Sequence, residues 1–108
     1  MGKGTKANLK NKILGSDLTK FQKLVLLETL KIPKGKTLTY GELANRIGKS
    51  GAVRAVGSAL ARNPFAPEVP CHRVVSKSGI GGYSGKGGIE GKRRLLRREK
   101  AVISDRNI

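Results

Sequence analysis

The residues of this sequence best suited to chemistry are Cys71 and His72, its single cysteine and single histidine, which are adjacent. Thiolate is the reactive form of cysteine, and a neighbouring imidazole with nearby cationic side chains would lower the pKa of the thiol below its free value. Pro70 has a fixed φ, and Val74 and Val75 favour a strand, so we expect Cys71 on a stiff, extended segment. Because successive side chains of such a segment point to opposite faces, His72 would reach the sulfur only through a bridging water.

Two other interpretations of the Cys-His pair stay open. Cys71 could be a small buried hydrophobe with a structural role, and His72 an ordinary surface residue. Cys71 could also be the nucleophile of a cysteine hydrolase, although such enzymes usually draw the cysteine and the histidine from separate parts of the chain. One cysteine and one histidine are too few ligands for a zinc site, so we expect no metal.

The charge of the sequence predicts a polyanionic partner. Its 108 residues, enough for one small domain, include 23 Lys and Arg against 7 acidic residues, a formal charge of +16. We expect an intracellular protein, cytoplasmic or chromosome-associated, because no signal-peptide pattern and no apolar run of about 20 residues is found. Neither a Walker pattern nor GxGxxG before a helix fits the glycine-rich stretch, so no nucleotide cofactor is predicted.

The N-terminal segment, residues 1–16, is predicted to be a basic, flexible tail. It carries four lysines among glycines and asparagines, with few apolar residues to bury. The remainder, residues 17–108, is predicted to form the folded domain.

Two helix starts are marked by capping boxes. Thr19 with Gln22 precedes an apolar set at helical spacing, which predicts a first helix ending before Pro33. Thr39 with Glu42 predicts a short second helix of about two turns, ending near Gly48. The apolar residues of these helices are Leu18, Phe21, Leu24, Val25, Leu27, Leu30, Leu43, Ala44 and Ile47.

A third helix is predicted to run to about Arg62, with Val53, Val56 and Leu60 on its core face. Together with the second helix it forms a helix-turn-helix. Besides Arg54 and Arg62, the outward face consists of small residues: Ala52, Ala55, Gly57, Ser58, Ala59 and Ala61. Such a face fits either close packing against another helix or close approach to a nucleic-acid groove, and it lacks the side chains that read base edges.

The C-terminal part combines a glycine-rich loop with a final helix. The loop spans residues 76–91 and is either simply flexible or closes over a flipped base. The helix is predicted over residues 90–101, with Leu95 and Leu96 in the core. Glu99 shares their inward face, so its carboxylate needs a partner there, either a neighbouring arginine of the helix or His72.

The motifs of the chain resemble those of the O6-alkylguanine-DNA alkyltransferases, the methylated-DNA–protein-cysteine methyltransferases. The resemblance covers roughly residues 18–101 and corresponds to the catalytic domain only. The matching segments are FQKLVLLETLKIPKGKTLTYGELA, AVRAVGSALARNP, PCHRVV, GGYSG and the final LLRRE. It implies a mainly α fold, a winged-helix-like helix-turn-helix DNA-binding domain with a short extended active-site segment and a C-terminal helix.

The resemblance also implies roles for the residues around the thiol. Cys71 would be the alkyl acceptor, His72 its water-linked base and Glu99 the carboxylate that orients the histidine. Asn63 would tether the recognition helix to the active-site segment. The substrate pocket would include Tyr83 as a wall, the backbone N–H of Ser84 as donor to O6, and the carbonyls of Cys71 and Val74 as acceptors from the exocyclic amine.

On the DNA side, the resemblance implies a monomer that binds the minor groove of double-stranded DNA containing O6-alkylguanine. Arg54 would enter the base stack in place of a flipped nucleotide, beside the small residues Ala55, Gly57 and Ser58. Tyr40 would crowd the target phosphate and donate to the purine ring. No membrane partner is expected.

The implied reaction is irreversible transfer of the alkyl group to Cys71, so the protein would act once as a methyltransferase in DNA repair. Members of the family usually carry a further N-terminal domain, which has no counterpart in this sequence and does not supply the matched residues. The alternative is a non-catalytic, alkyltransferase-like module that binds lesions. Such modules lack the acceptor cysteine, which is present here.

Overall fold

The computed structural model describes residues 6–83 and 85–101 of the chain. Within them the protein forms five α-helices, a 3₁₀-helical turn at Cys71–Arg73 and two short strands. In chain order the elements are α1 (Lys6–Leu14), α2 (Lys20–Thr29), β1 (Leu38–Thr39), α3 (Tyr40–Arg46), α4 (Val53–Ala61), β2 (Val74–Val75) and α5 (Gly88–Arg98). The predicted mainly α architecture is therefore confirmed. None of the described helices is long and apolar enough to cross a bilayer.

Both predicted capping boxes are present. The Thr19 side chain accepts from the backbone N–H of Gln22, whose side chain accepts in turn from the Thr19 N–H. Thr39 and Glu42 repeat the arrangement at the start of α3. Each box supplies partners for N–H groups that the first helical turn leaves free, so these two helix starts are determined by local sequence.

The helix-turn-helix consists of α3 and α4, joined by residues 47–52. Gly48 follows the C-cap of α3 with φ 73°, a left-handed conformation that glycine adopts without strain. α2 packs against both helices, and the core lies between them. Its buried residues include Val25, Leu26, Leu43, Ala44, Val56, Ala59 and Leu60.

The two strands connect the helix-turn-helix to the segment of the cysteine. β1 and β2 are parallel, with Leu38 opposite Val74 and Thr39 opposite Val75. Thr39 is also the N-cap of α3, so the strand that follows Cys71 pairs directly with the residue that starts the first helix of the motif.

The flexible tail predicted for residues 1–16 is wrong for the described part of that segment. Residues 6–14 form α1, which packs against α2. Leu9 and Ile13, four residues apart on one face, are both buried in the core. Two apolar residues at helical spacing are enough here because α2 offers a surface that covers them.

Two details of α4 and α5 also differ from the prediction. Val53, expected in the core, is 43% exposed in the first turn of α4, and Ala59, expected on the outward face, is buried. α5 begins earlier than predicted and ends at Arg98, so Glu99 is its C-cap residue.

Candidate active site

The sequence predicted an extended segment at Cys71, and this prediction is wrong. Cys71 lies in the 3₁₀-helical turn. The N–H of Cys71 donates to the carbonyl of Val69 over 2.8 Å, and the extended backbone begins only at Val74. The turn follows Pro70, which acts as its N-cap residue. Cys71 is 5% exposed and borders a cavity of about 270 Å³.

The walls of this cavity come from the turn of Cys71 and from three other parts of the fold. α3 contributes one aromatic ring, α4 contributes small and aliphatic side chains, and the glycine-rich loop closes the side that remains. The lining residues are Tyr40, Gly57, Leu60, Ala61, Cys71, Gly82 and Tyr83. The thiol therefore lies where α4 meets the glycine-rich loop.

The buried His72 and the partly buried Arg73 and Glu99 form a hydrogen-bonded group, which we call the acid–base cluster. Nε2 of His72 lies 2.9 Å from Oε2 of Glu99. Nε and Nη2 of Arg73 donate to the two oxygens of Glu99 over 2.9 and 2.8 Å, a bidentate pair. Nη1 of Arg73 donates to the carbonyl of Ile32, which anchors the cluster to the end of the α2 region. The carboxylate thus pairs with both His72 and an arginine, but the arginine comes from the turn and not from α5.

The cluster determines the tautomer of His72. Burial raises the pKa of Glu99, but the hydrogen bonds from Arg73 and His72 outweigh burial and leave the pKa below its usual value. Burial lowers the pKa of His72 despite its bond to Glu99, so the ring is neutral near pH 7. An ionised carboxylate only accepts, so Nε2 carries the proton and Nδ1 carries the lone pair. Nδ1 is buried and has no hydrogen-bond partner among the described residues.

The expected lowering of the thiol pKa is wrong for the protein without substrate. Burial raises the pKa of Cys71, and this effect exceeds the opposing effects of a hydrogen bond from Asn63 and the charge of Lys92. The thiol is therefore largely protonated near pH 7, and its activation needs a base.

Asn63 joins the end of α4 to the cysteine segment. Its Nδ2 donates to the carbonyl of Val69 over 3.0 Å, and its Oδ1 accepts from the N–H of Phe65 over 2.8 Å. Asn63 therefore links the end of α4 to the segment that precedes Cys71.

Tyr40 of α3 and Tyr83 of the glycine-rich loop both line the cavity. Burial is the main cause that raises the pKa of both phenols, so both remain donors. The hydroxyl of Tyr40 reaches the carbonyl of Gly82 over 3.5 Å. A side chain at Gly81 would meet the Tyr40 hydroxyl, so glycine is needed for the loop to approach this closely. Ser84 lies outside the described residues.

Lys92 is a part of the site that the sequence analysis missed. It is completely buried on α5, and its Nζ donates to the carbonyls of Val74 and Gly82 over 2.6 and 3.0 Å. The Val74 carbonyl, expected to accept from the substrate, is therefore already in use, although a carbonyl has two lone pairs. Lys92 precedes Leu96 by four residues and Glu99 by seven, so the periodicity that put Glu99 on the inner face also applies to Lys92.

The exposed side of α4 has a different character. Arg54, Ala55 and Ser58 are exposed, and we call these three residues the bare face. No side-chain hydrogen bond or ion pair joins Arg54 or Ser58 to another of the described residues. Gly57 lies between the bare face and the cavity, which it lines.

Comparison with known proteins adds a family to this geometry. The sequence model of 6-O-methylguanine DNA methyltransferase, DNA binding domain, matches residues 20–101. A methylated-DNA–protein-cysteine methyltransferase of Mycobacterium tuberculosis is 52% identical over 84 residues, which are 77% of this chain and 50% of that protein. A protein of the same name from Saccharolobus islandicus is 46% identical over 85 residues, 79% of this chain and 54% of its own length. The chain thus spans about half the length of these curated relatives.

Solved structures agree with the sequence matches. Mycobacterium tuberculosis OGT in complex with DNA superposes with a TM-score of 0.73 at 49% identity, over 83% of this chain and 52% of the other. Schizosaccharomyces pombe Atl1 in complex with damaged DNA containing O6-carboxymethylguanine gives 0.66 at 30% identity, over 78% of this chain and 79% of the other. With a family match over most of the chain, relatives near 50% identity and the same fold, the chain belongs to the 6-O-methylguanine DNA methyltransferase family and carries its DNA-binding domain.

Proposed function

We propose that the protein repairs DNA by transferring the alkyl group of O6-alkylguanine irreversibly to Cys71. The observation that carries the proposal is the neutral His72, oriented by Glu99 beside a buried thiol that borders a cavity. A cavity of about 270 Å³ lies near the lower limit of roughly 300 Å³ for small-ligand pockets, which suits one base and its substituent. The catalytic and DNA-binding unit predicted over residues 17–108 remains part of this proposal, as does the monomeric state.

The first step is removal of the thiol proton. In the proposed route a water molecule takes the proton from Cys71 and passes one to Nδ1 of His72, the lone-pair nitrogen without a partner. The ionised Glu99 stabilises the imidazolium that forms, and Arg73 keeps Glu99 ionised and in position.

The second step is displacement at the alkyl carbon. The thiolate sulfur forms a bond to that carbon, and the carbon–O6 bond breaks, leaving its electron pair on the guanine. The guanine takes up one proton, returned through water from the His72 imidazolium, and is restored, while Cys71 becomes a thioether. A thioether is not hydrolysed by a neutral histidine and a carboxylate, so each molecule acts once.

DNA reaches the cavity from the side of α4 in this proposal. An O6 substituent cannot meet a protein thiol inside a duplex, so the nucleotide must flip out of the stack. The bare face of α4 would lie in the minor groove, and Arg54 would fill the position that the flipped base leaves. Tyr40 and Tyr83 then bound the extruded base. Similar proteins have been solved in complex with DNA, which supports DNA as the partner in this proposal.

A second candidate is a lesion-binding module without transfer. The similarity to Atl1, which the chain matches over 79% of that protein's length, favours it. The acceptor Cys71 beside a base favours transfer instead. A thiol that only fills space would not need the lone pair of His72.

Intact-mass analysis after incubation with a duplex containing O6-methylguanine separates the candidates. We expect one methyl group per protein molecule, and no gain in Cys71→Ser. That variant should bind DNA nearly as well as the unaltered protein, because the thiol lines the cavity and is not part of the bare face. Binding without any gain of mass would support the lesion-binding module. Repeated turnover without an adduct would indicate a hydrolase.

A further inference from the structure

Lys92 is a charged residue that the proposed reaction does not yet use. A lysine is almost never completely buried without a paired anion, and Lys92 is 0% exposed. Its ammonium has three donors, of which two are taken by the carbonyls of Val74 and Gly82. The ammonium also lies 5.8 Å from the centre of the Tyr40 ring. These contacts hold three elements together at the cavity: α5, β2 and the loop.

No carboxylate of the described residues forms an ion pair with Lys92. Carbonyls offer partial charge only, and an uncompensated buried cation is costly. The titratable groups around Lys92 are Cys71 and His72 of the turn and Tyr40 of α3. His72 is neutral near pH 7, and its Nε2 is hydrogen-bonded to Glu99. Cys71 is therefore the group that can supply the missing negative charge.

We propose that Lys92 is a positioning residue whose ammonium, held beside the cavity by the carbonyls of Val74 and Gly82, is the counter-ion of the Cys71 thiolate. This inference rests on the proposed function in one respect, that the thiolate is the attacking species. His72 removes the proton, and Lys92 stabilises the anion that is left. The two carbonyl contacts fix the ammonium so that it cannot turn to solvent.

The charges of the two groups support this assignment. Burial lowers the pKa of Lys92 to about 8, and a negative charge on Cys71 acts in the opposite direction. The charge of Lys92 in turn opposes the rise that burial causes in the pKa of Cys71. Each ion therefore favours the other, and such coupling is reciprocal.

The first test measures the thiol pKa from the pH dependence of alkylation by iodoacetamide, a small reagent that needs no recognition pocket. In Lys92→Met, which keeps the length but not the charge, we expect the pKa to rise by about one unit, which is a roughly tenfold loss of thiolate near neutral pH. Lys92→Arg should retain most of the effect. Lys86→Met removes a lysine from an exposed position just before α5 and should leave the thiol pKa unchanged. An unchanged thiol pKa in Lys92→Met would overturn the inference and leave Lys92 as a structural clamp.

A second measurement uses the unaltered sequence, so it holds even if a variant does not fold. Nitrogen-15 NMR follows the titration of the Lys92 ammonium before and after methyl methanethiosulfonate has capped Cys71 as a neutral disulfide. Capping should lower the pKa of Lys92, because the thiolate can no longer form. Identical titrations in the two samples would contradict the proposed ion pair.

Reaction with free O6-benzylguanine connects the inference to transfer. Lys92→Met should react about tenfold more slowly near neutral pH, and the difference should shrink as the pH approaches the thiol pKa of the variant. If the unaltered protein gains no methyl group from a duplex containing O6-methylguanine, the proposed function fails, but the iodoacetamide and NMR tests still decide the role of Lys92.

Discussion

The polar side chains of the acid–base cluster have intramolecular hydrogen-bond partners, whereas those of the bare face of α4 have none among the described residues. In the cluster, Arg73 and Glu99 are joined by two short hydrogen bonds, and His72 is held by a third. On the bare face, Arg54 is exposed and no carboxylate of the described residues pairs with it. A group that must hold one geometry during a reaction is surrounded by its own chain, whereas a group that must meet another molecule is left without intramolecular partners.

This contrast separates stability from function. Removing a member of the cluster should affect both, because Glu99 is hydrogen-bonded to both His72 and Arg73. Removing a side chain of the bare face should affect only the reaction with DNA, because no contact within the fold depends on that side chain.

The largest effect is expected for Glu99→Gln. Glutamine keeps the shape but leaves the charge of Arg73 uncompensated and no longer stabilises an imidazolium. The free energy of unfolding should fall by about 3 kcal/mol, the lower end for a buried pair, because the two side chains keep 16% and 10% exposure. Methyl transfer should slow by roughly 10²- to 10⁴-fold. Urea denaturation and single-turnover kinetics measure the two quantities.

The matched control is Glu90→Gln, in the first turn of the same helix. Glu90 is 72% exposed, and its ion pair with Arg93 is long, at 3.7 Å. We therefore expect the free energy of unfolding to change by less than about 1 kcal/mol. Equal losses in the two variants would mean that the cluster is no more than a surface charge pair.

An intermediate effect is expected for Arg54→Ala. If Arg54 holds the flipped state open, its loss removes a stabilisation that must offset a few kcal/mol of unstacking, so repair of duplex DNA should slow about 100-fold. Reaction with free O6-benzylguanine and the free energy of unfolding should barely change. Arg62→Ala, an exposed arginine at the C-cap of α4, serves as control. Equal slowing on both substrates would assign Arg54 to the fold or the pocket instead.

The smallest effect is expected from pH. The pKa of His72 in the folded protein lies below its ordinary value of 6.5, so on acidification below that value the unfolded chain takes up the proton first, and stability falls. The lowered pKa of Glu99 acts in the same direction below 4.5. Urea denaturation from about pH 7.5 to about pH 5 should show this decline in the unaltered protein and in Arg54→Ala, but a weaker one in His72→Phe. A decline of the same slope in His72→Phe would show that other groups cause it.

Local patterns predicted the parts of the fold that local contacts determine. The capping boxes of Thr19 and Thr39 and the left-handed Gly48 involve residues within four positions of each other, so the sequence alone was sufficient. The family motifs likewise pointed to Cys71, His72 and Glu99, which the fold brings together across 27 residues.

What the sequence could not predict depends on distant partners. Leu9 and Ile13 look like isolated apolar residues in a lysine-rich segment, and only the presence of α2 makes them core. Lys92 looks like one of several cations on α5 until its depth is known. The predicted direction of the shift in the Cys71 pKa was also wrong, because a sequence shows the charged residues but not how deeply the thiol is buried.

Asn63 is followed directly by Pro64, and this order affects the chemical stability of the asparagine. Asparagine degrades on storage when the backbone nitrogen of the next residue attacks its side-chain amide, and proline has no N–H for this attack. Both ends of the Asn63 amide are also held, by Val69 and Phe65. If the proposed function is correct, each molecule reacts with one lesion only and must stay intact until it meets that lesion. The link between α4 and the segment of Cys71 therefore depends on an asparagine that resists this deamidation, so the protein should keep its activity over a long period.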